Sequence, residues 1–144
     1  MLALDHMQKA RNQKKALLLV TDGLDNVSKA TLEEVIENVK RSRVTVLVVG
    51  LLSASEGLQA EQTLTKIAEA SGGRAYFPDD VDQARAMMER AARDLRTQYT
   101  IGYVPTDPAH DGSWRSVRVE VTPPAGSKTR LEADYRHGYY RPDR

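Results

Sequence analysis

A chain of 144 residues, 40% of them apolar, can bury a core of ordinary size, which excludes disorder as a description of the whole. Its 21 basic and 20 acidic residues are interspersed and leave a net charge of +1, so no broad field of one sign points to nucleic acid or an anionic membrane. The absence of cysteine excludes disulfides, zinc–thiolate centres and thiol catalysis.

No apolar run approaches the ~18 residues of a membrane span, and Met1–Arg11 lacks the apolar stretch of an export signal. The chain as given therefore reads as soluble, without membrane insertion and without an export signal. Leu2, His6, Met7 and Ala10 fall near one face of a short opening helix. Ala16–Val20 is a continuous apolar run closed by Asp22-Gly23, the pattern of a strand covered on both faces, and Val44–Gly50 is a second run of the same kind. Between them Thr31-Leu32-Glu33-Glu34 has capping-box spacing, and Leu32, Val35, Ile36 and Val39 make a helical stripe. Strand, helix, strand is a βαβ unit.

The pattern repeats. Leu64, Ile67 and Ala68 mark a helix stopped by Gly72-Gly73, and Ala75-Tyr76-Phe77 is a third parallel strand closed by Pro78. Asp79 or Asp80 caps a long helix whose buried face reads Val81, Ala84, Met88, Ala91 and Leu95. From Gln98 the period changes to two. Tyr99, Ile101 and Tyr103, then Val117, Val119 and Val121, then Leu131, Ala133 and Tyr135 alternate with polar or small residues. The expected architecture is α/β: a partial doubly wound, Rossmann-like parallel sheet with helical crossovers over residues 1–97, followed by a three-stranded antiparallel β extension over 98–144.

Thr21-Asp22-Gly23-Leu24-Asp25 carries the most chemistry, because a buried parallel strand ends there in an acidic, hydroxyl-bearing turn, at the edge where such sheets bind ligands. Asp22, Thr21 and Asp25 offer the oxygen donors a hard cation takes. Each also has an ordinary reading. Asp22 reads foremost as a metal-site carboxylate and otherwise as a turn or helix-capping one, whereas Asp25 reads foremost as a turn stabiliser. Ser53 and Ser55 sit in the loop after the second strand, where loop polarity alone accounts for them. His6, His110 and His137 have no metal-site spacing and read as surface residues. Gly72-Gly73 follows a helix, so it is a stop signal and no phosphate cradle. No serine stands in a nucleophile-elbow pattern.

The ordered set of Thr21-Asp22-Gly23, Asp25-Asn26, the strand Val44–Gly50, the run Ala70-Ser71-Gly72-Gly73-Arg74-Ala75-Tyr76-Phe77 and the stretch Tyr99–Tyr103 resembles the later half of a von Willebrand factor A-type domain. With Gly138-Tyr139-Tyr140 near the end, it looks most like the bacterial von Willebrand factor A-related group. The resemblance implies a metal-ion-dependent adhesion site built from three loops, of which this chain shows the aspartate loop. Asp22 would be the metal-site carboxylate, with Thr21 and Gly23 shaping the turn. The Asp-x-Ser-x-Ser loop would lie before Met1, and the threonine loop close to or before it.

The implied function is a non-enzymatic, adhesion-type protein-interaction module with an incomplete cation site. Mg²⁺ or Mn²⁺ would be the ion of the complete parent domain, weakly bound or absent in this chain, and the partner a protein bearing an acidic group. An exposed sheet edge at the first strand would favour self-association. The alternatives are a metal-dependent phosphohydrolase using Asp22, with Asp79-Asp80 as the other acidic pair, and a structural remnant without a ligand. Relatives of the resembled group are usually periplasmic or extracellular, but no feature of this chain sets its own compartment.

Overall fold

The computed structural model describes residues 2–12, 14–22, 29–52, 57–107 and 110–141. A short helix α1 (Leu2–Gln8) leads into strand β1 (Lys15–Thr21), helix α2 (Leu32–Arg41), strand β2 (Val44–Gly50), helix α3 (Gly57–Ala70), strand β3 (Ala75–Tyr76) and helix α4 (Val81–Arg96). Two short strands follow, β4 (Trp114–Ser116) and β5 (Gly138–Tyr140). The first three strands form a parallel sheet in the order β1-β2-β3, with Lys15 opposite Val44 and Thr21 opposite Gly50. The expected α/β class with its parallel sheet is therefore present.

β2 is central, so its side chains are covered on both faces. Val44, Val46 and Val48 pack with Leu4 of α1, Val39 of α2, and Leu64 and Ala68 of α3. Leu47 and Val49, on the other face, pack with Tyr76 and with Ala91 of α4. A continuous apolar run is what a strand buried on both faces requires. β1 has the same sequence character but a different environment. Leu17 and Leu19 pack against the first cluster, whereas Leu18 and Val20, on the face shared with Leu47 and Val49, remain 46% and 50% exposed. α4 covers β2 and stops short of the edge strand.

Local signals account for the element ends. Thr31 and Glu34 form the full capping box: the Glu34 amide donates to Thr31 Oγ1 at 3.2 Å and the Thr31 amide to Glu34 Oε2 at 2.9 Å. Asp80 caps α4 by accepting from the Gln83 amide at 2.7 Å. At the end of α3 the Gly73 amide donates to Ala68 O and the Gly72 amide to Glu69 O, with Gly72 at φ +76°, a Schellman closure. A side chain on Gly73 would place Cβ 2.0 Å from Val46 O, so this glycine is also required by the approach of the turn to β2.

Two helical faces differ from the sequence expectation. In α1 the buried residue is Leu4, supported by Met7, and Leu2 points to solvent. In α4, Met87 and not Met88 packs inward, and Val81, the first helical residue, is 79% exposed. The larger difference is in the extension. Among the described residues its antiparallel sheet has two strands, not three, with Trp114 opposite Tyr140 and Ser116 opposite Gly138, and one further bond from the Val117 amide to His137 O. Val117 and Val119 keep the alternation of half-buried positions. Period-two alternation becomes a strand only where ladder pairing and a second apolar surface support it; Tyr99 and Val104, 93% and 92% exposed, are packed against no apolar surface of the described chain.

The extension is fastened to the α/β unit chiefly by polar groups. The Arg136 guanidinium donates to the carbonyls of Lys40, Ser42 and Val44, which close α2 and open β2. Burial pushes the Arg136 pKa down, and the nearby Arg43 charge adds to the effect. The Tyr140 hydroxyl donates to Glu37 Oε2 at 2.8 Å, a contact that raises its pKa, and the Arg41 guanidinium lies 4.1 Å above the same ring. Arg74 pairs with Asp134 at 2.8 Å.

Candidate functional site

Of the expected donors, Thr21 and Asp22 are described, at the end of β1. Thr21 closes β1 beside Gly50, and the Leu51 amide donates to Thr21 O at 2.7 Å, which ties the end of β1 to the segment leaving β2. Asp22 follows immediately and is exposed, with its carboxylate open to solvent. Gly50 lets the Phe77 ring lie against the end of β2, since a Cβ there would come within 2.8 Å of that ring. Asp25 and Gly23, like Ser53 and Ser55, lie outside the described residues.

Thr21 and Asp22 supply one hydroxyl and one carboxylate, whereas Mg²⁺ takes about six oxygens in near-octahedral geometry. Among the described residues no three His, Asp or Glu side chains gather as a metal group. These residues fit part of a cation site, and the donors described do not complete one.

The other acidic pair serves a helix end. Asp80 caps α4, and Gln83 Nε2 donates to Asp80 Oδ2 at 3.2 Å and Asp79 Oδ2 at 3.5 Å. The histidines are dispersed: His6, His110 and His137 are exposed, and His137 meets the Tyr135 ring edge-on at 4.7 Å.

Sequence reasoning missed the opposite edge, where the strands begin. A cavity of about 280 Å³ there is lined by Arg74, Tyr76, Asp94 and Asp134, among others. Its charged groups are matched within the chain. The hydrogen bond from Arg74 to Asp134 raises the arginine pKa, and burial, followed by the bond to Asp94 at 3.1 Å, raises that of the Tyr76 hydroxyl. Two neighbouring cavities are lined by Lys14, Lys15 and Arg43. The available signal was that each parallel strand is entered through a basic residue: Lys15 before Ala16, Arg43 before Val44 and Arg74 before Ala75. The parallel register sets Lys15 opposite Val44 and so close to Arg43, whereas Ala75 stands opposite Val48, which puts Arg74 farther along β2.

Ser71 was a second omission. It is buried, its Oγ accepts from the Val46 amide at 2.8 Å and donates to Ala68 O at 2.6 Å, and it thus pairs β2 backbone that β3 does not reach. No helix among the described residues is long and apolar enough to cross a membrane. Comparison with curated proteins and with solved structures gave no match. The model of the von Willebrand factor type A domain matches residues 2–90, well over half of the chain. With its alternating helices and parallel strands running through that same span, the chain belongs to the von Willebrand factor type A domain family.

Proposed function

We propose that the chain is a non-catalytic protein-interaction module of the adhesion type, in which Asp22, with Thr21 and Asp25, contributes the aspartate loop of a divalent-cation site that further oxygens complete. The observation that supports this reading is the exposed Asp22 at the end of β1, in a family whose members are typically protein-interaction modules. The expected ion is Mg²⁺ or Mn²⁺, held weakly by this chain alone because a cation with few protein oxygens keeps most of its water. The expected partner is a protein with an acidic group. Residues 98–144 are read as an extension appended to the module of residues 1–97.

Calorimetric titration of Mg²⁺ and Mn²⁺, with Asp22→Ala as control, tests the reading: weak binding removed by the substitution is expected. Binding that the substitution leaves intact, or phosphate-ester turnover that it abolishes, would overturn it.

The half-exposed Leu18 and Val20 on edge strand β1 support a second contact, pairing of this edge with another chain. Light scattering is expected to show association that rises with concentration; a monodisperse monomer throughout would count against it.

A further inference from the structure

We propose that the edge of the parallel sheet at which the strands begin is a groove that binds a carboxylate-rich segment of a partner protein. Two cavities of about 350 and 280 Å³ adjoin there and share Lys15 and Arg43. The first also carries Lys14, the second Arg41, and among the described residues no carboxylate lines either one. Some arginines have acidic partners: Arg41 at the rim of the second cavity pairs with Glu37, and away from the groove Arg74 pairs with Asp134, Arg115 with Asp107 and Asp111, and Arg118 with Glu120. Among the described residues Lys14, Lys15 and Arg43 have none. Lys15 Nζ donates to Gln8 O at 3.0 Å and Lys14 Nζ reaches Gln98 O at 3.5 Å, contacts that orient the ammonium groups without neutralising them. The Arg43 charge is felt by the guanidinium of Arg136, whose partners are three carbonyls, so the excess of positive charge extends beneath the groove.

A concave surface with several uncompensated cations attracts a multivalent anion. The lining favours a peptide over a nucleic acid. Among the described residues it contains no aromatic ring on which a base could stack, whereas Thr45, Gln98 and Thr100 provide side-chain hydrogen-bonding groups beside the cations, and edge strand β1 starts at Lys15. The site lies at the end of β1 opposite Asp22 and is independent of any cation there.

The test is fluorescence anisotropy of a labelled oligoglutamate peptide with the full chain, with oligothymidylate as the rival probe. Saturable peptide binding that weakens with added salt is expected, reduced about tenfold by Lys15→Gln combined with Arg43→Gln and unchanged by Arg118→Gln at a distant exposed arginine. Amide shifts in the unsubstituted chain give a second readout that no folding defect can confound: changes should centre on Lys14–Ala16, Arg43–Thr45 and Gln98–Thr100. Equal peptide affinity in the doubly substituted and unsubstituted chains, shifts centred elsewhere, absence of binding at low salt, or tighter binding of oligothymidylate would each overturn the proposal.

Discussion

The parallel α/β unit and the extension that follows it are held by different forces. Around β2, Val44, Val48 and Val49 are fully buried between helices on both faces, and the stabilisation is apolar burial. The extension exposes Tyr99, Ile101 and Val104 and is attached through Arg136, Tyr140 and Asp134, that is, through hydrogen bonds, an ion pair and a cation–π contact. Apolar burial has no group to titrate and no charge to screen, whereas these polar attachments are individually modest and respond to pH and ionic strength. The unit should therefore unfold as one body, and the extension should be separable from it by small changes.

The largest expected effects lie in the unit. Gly73→Ala drives a Cβ into Val46 O and should lower unfolding stability by about 3 kcal/mol. Val48→Ala should lower it by about 2 kcal/mol through lost burial and a cavity. Urea unfolding measures both, and a loss below about 0.5 kcal/mol for either, the range of neutral surface changes, would contradict the packing described here.

Next is Arg136→Met, which leaves the carbonyls of Lys40, Ser42 and Val44 without their charged donor. A loss of about 1–3 kcal/mol is expected, accompanied by faster amide exchange at Ser116 and Gly138 while β2 stays protected. If β2 loses protection equally, the two regions are one cooperative body and the contrast fails. Tyr140→Phe should cost about 1 kcal/mol by removing the bond to Glu37. Arg74→Gln removes an exposed ion pair and should cost about 0.5 kcal/mol in dilute buffer and less in concentrated salt; a salt-independent loss would mean the pair acts through packing.

The smallest effect is electrostatic and confined to the extension. Hydrogen bonds from the side chain and backbone of Ser113, then the Arg115 guanidinium, lower the Asp111 pKa to about 2. A depressed carboxylate pKa stabilises the turn at pH above the ordinary carboxylate range, and that contribution is lost as pH falls through the folded value. The Asp111 carboxyl resonance should thus titrate near pH 2, not near the ordinary 3.8. A midpoint at the ordinary value would mean that this turn is not held as described.

Features with local causes were legible in the sequence. Thr31 and Glu34 announce the start of α2, Gly72-Gly73 the end of α3 and Asp80 the start of α4, because each cap closes within a few residues. The parallel strands were legible as apolar runs, and Thr21-Asp22 as the end of one of them. Less legible was any property that depends on what stands across from a residue. Leu18 and Leu47 are the same residue type in the same kind of run; one is half exposed and the other buried because α4 lies over β2 and not over β1. Tyr99–Tyr103 alternates as a strand does, yet it takes no strand conformation and stays exposed. The pair Lys14-Lys15 is far from Arg43 along the chain and each is unremarkable singly, and only the parallel register brings them to one groove. The sequence by itself determined the helices, their caps, the apolar strands and the position of Asp22, since propensity and capping act over a few residues. The tertiary structure alone decided which strand is central, which alternating segments pair and which charges remain unmatched, because burial and electrostatic compensation belong to neighbours in space.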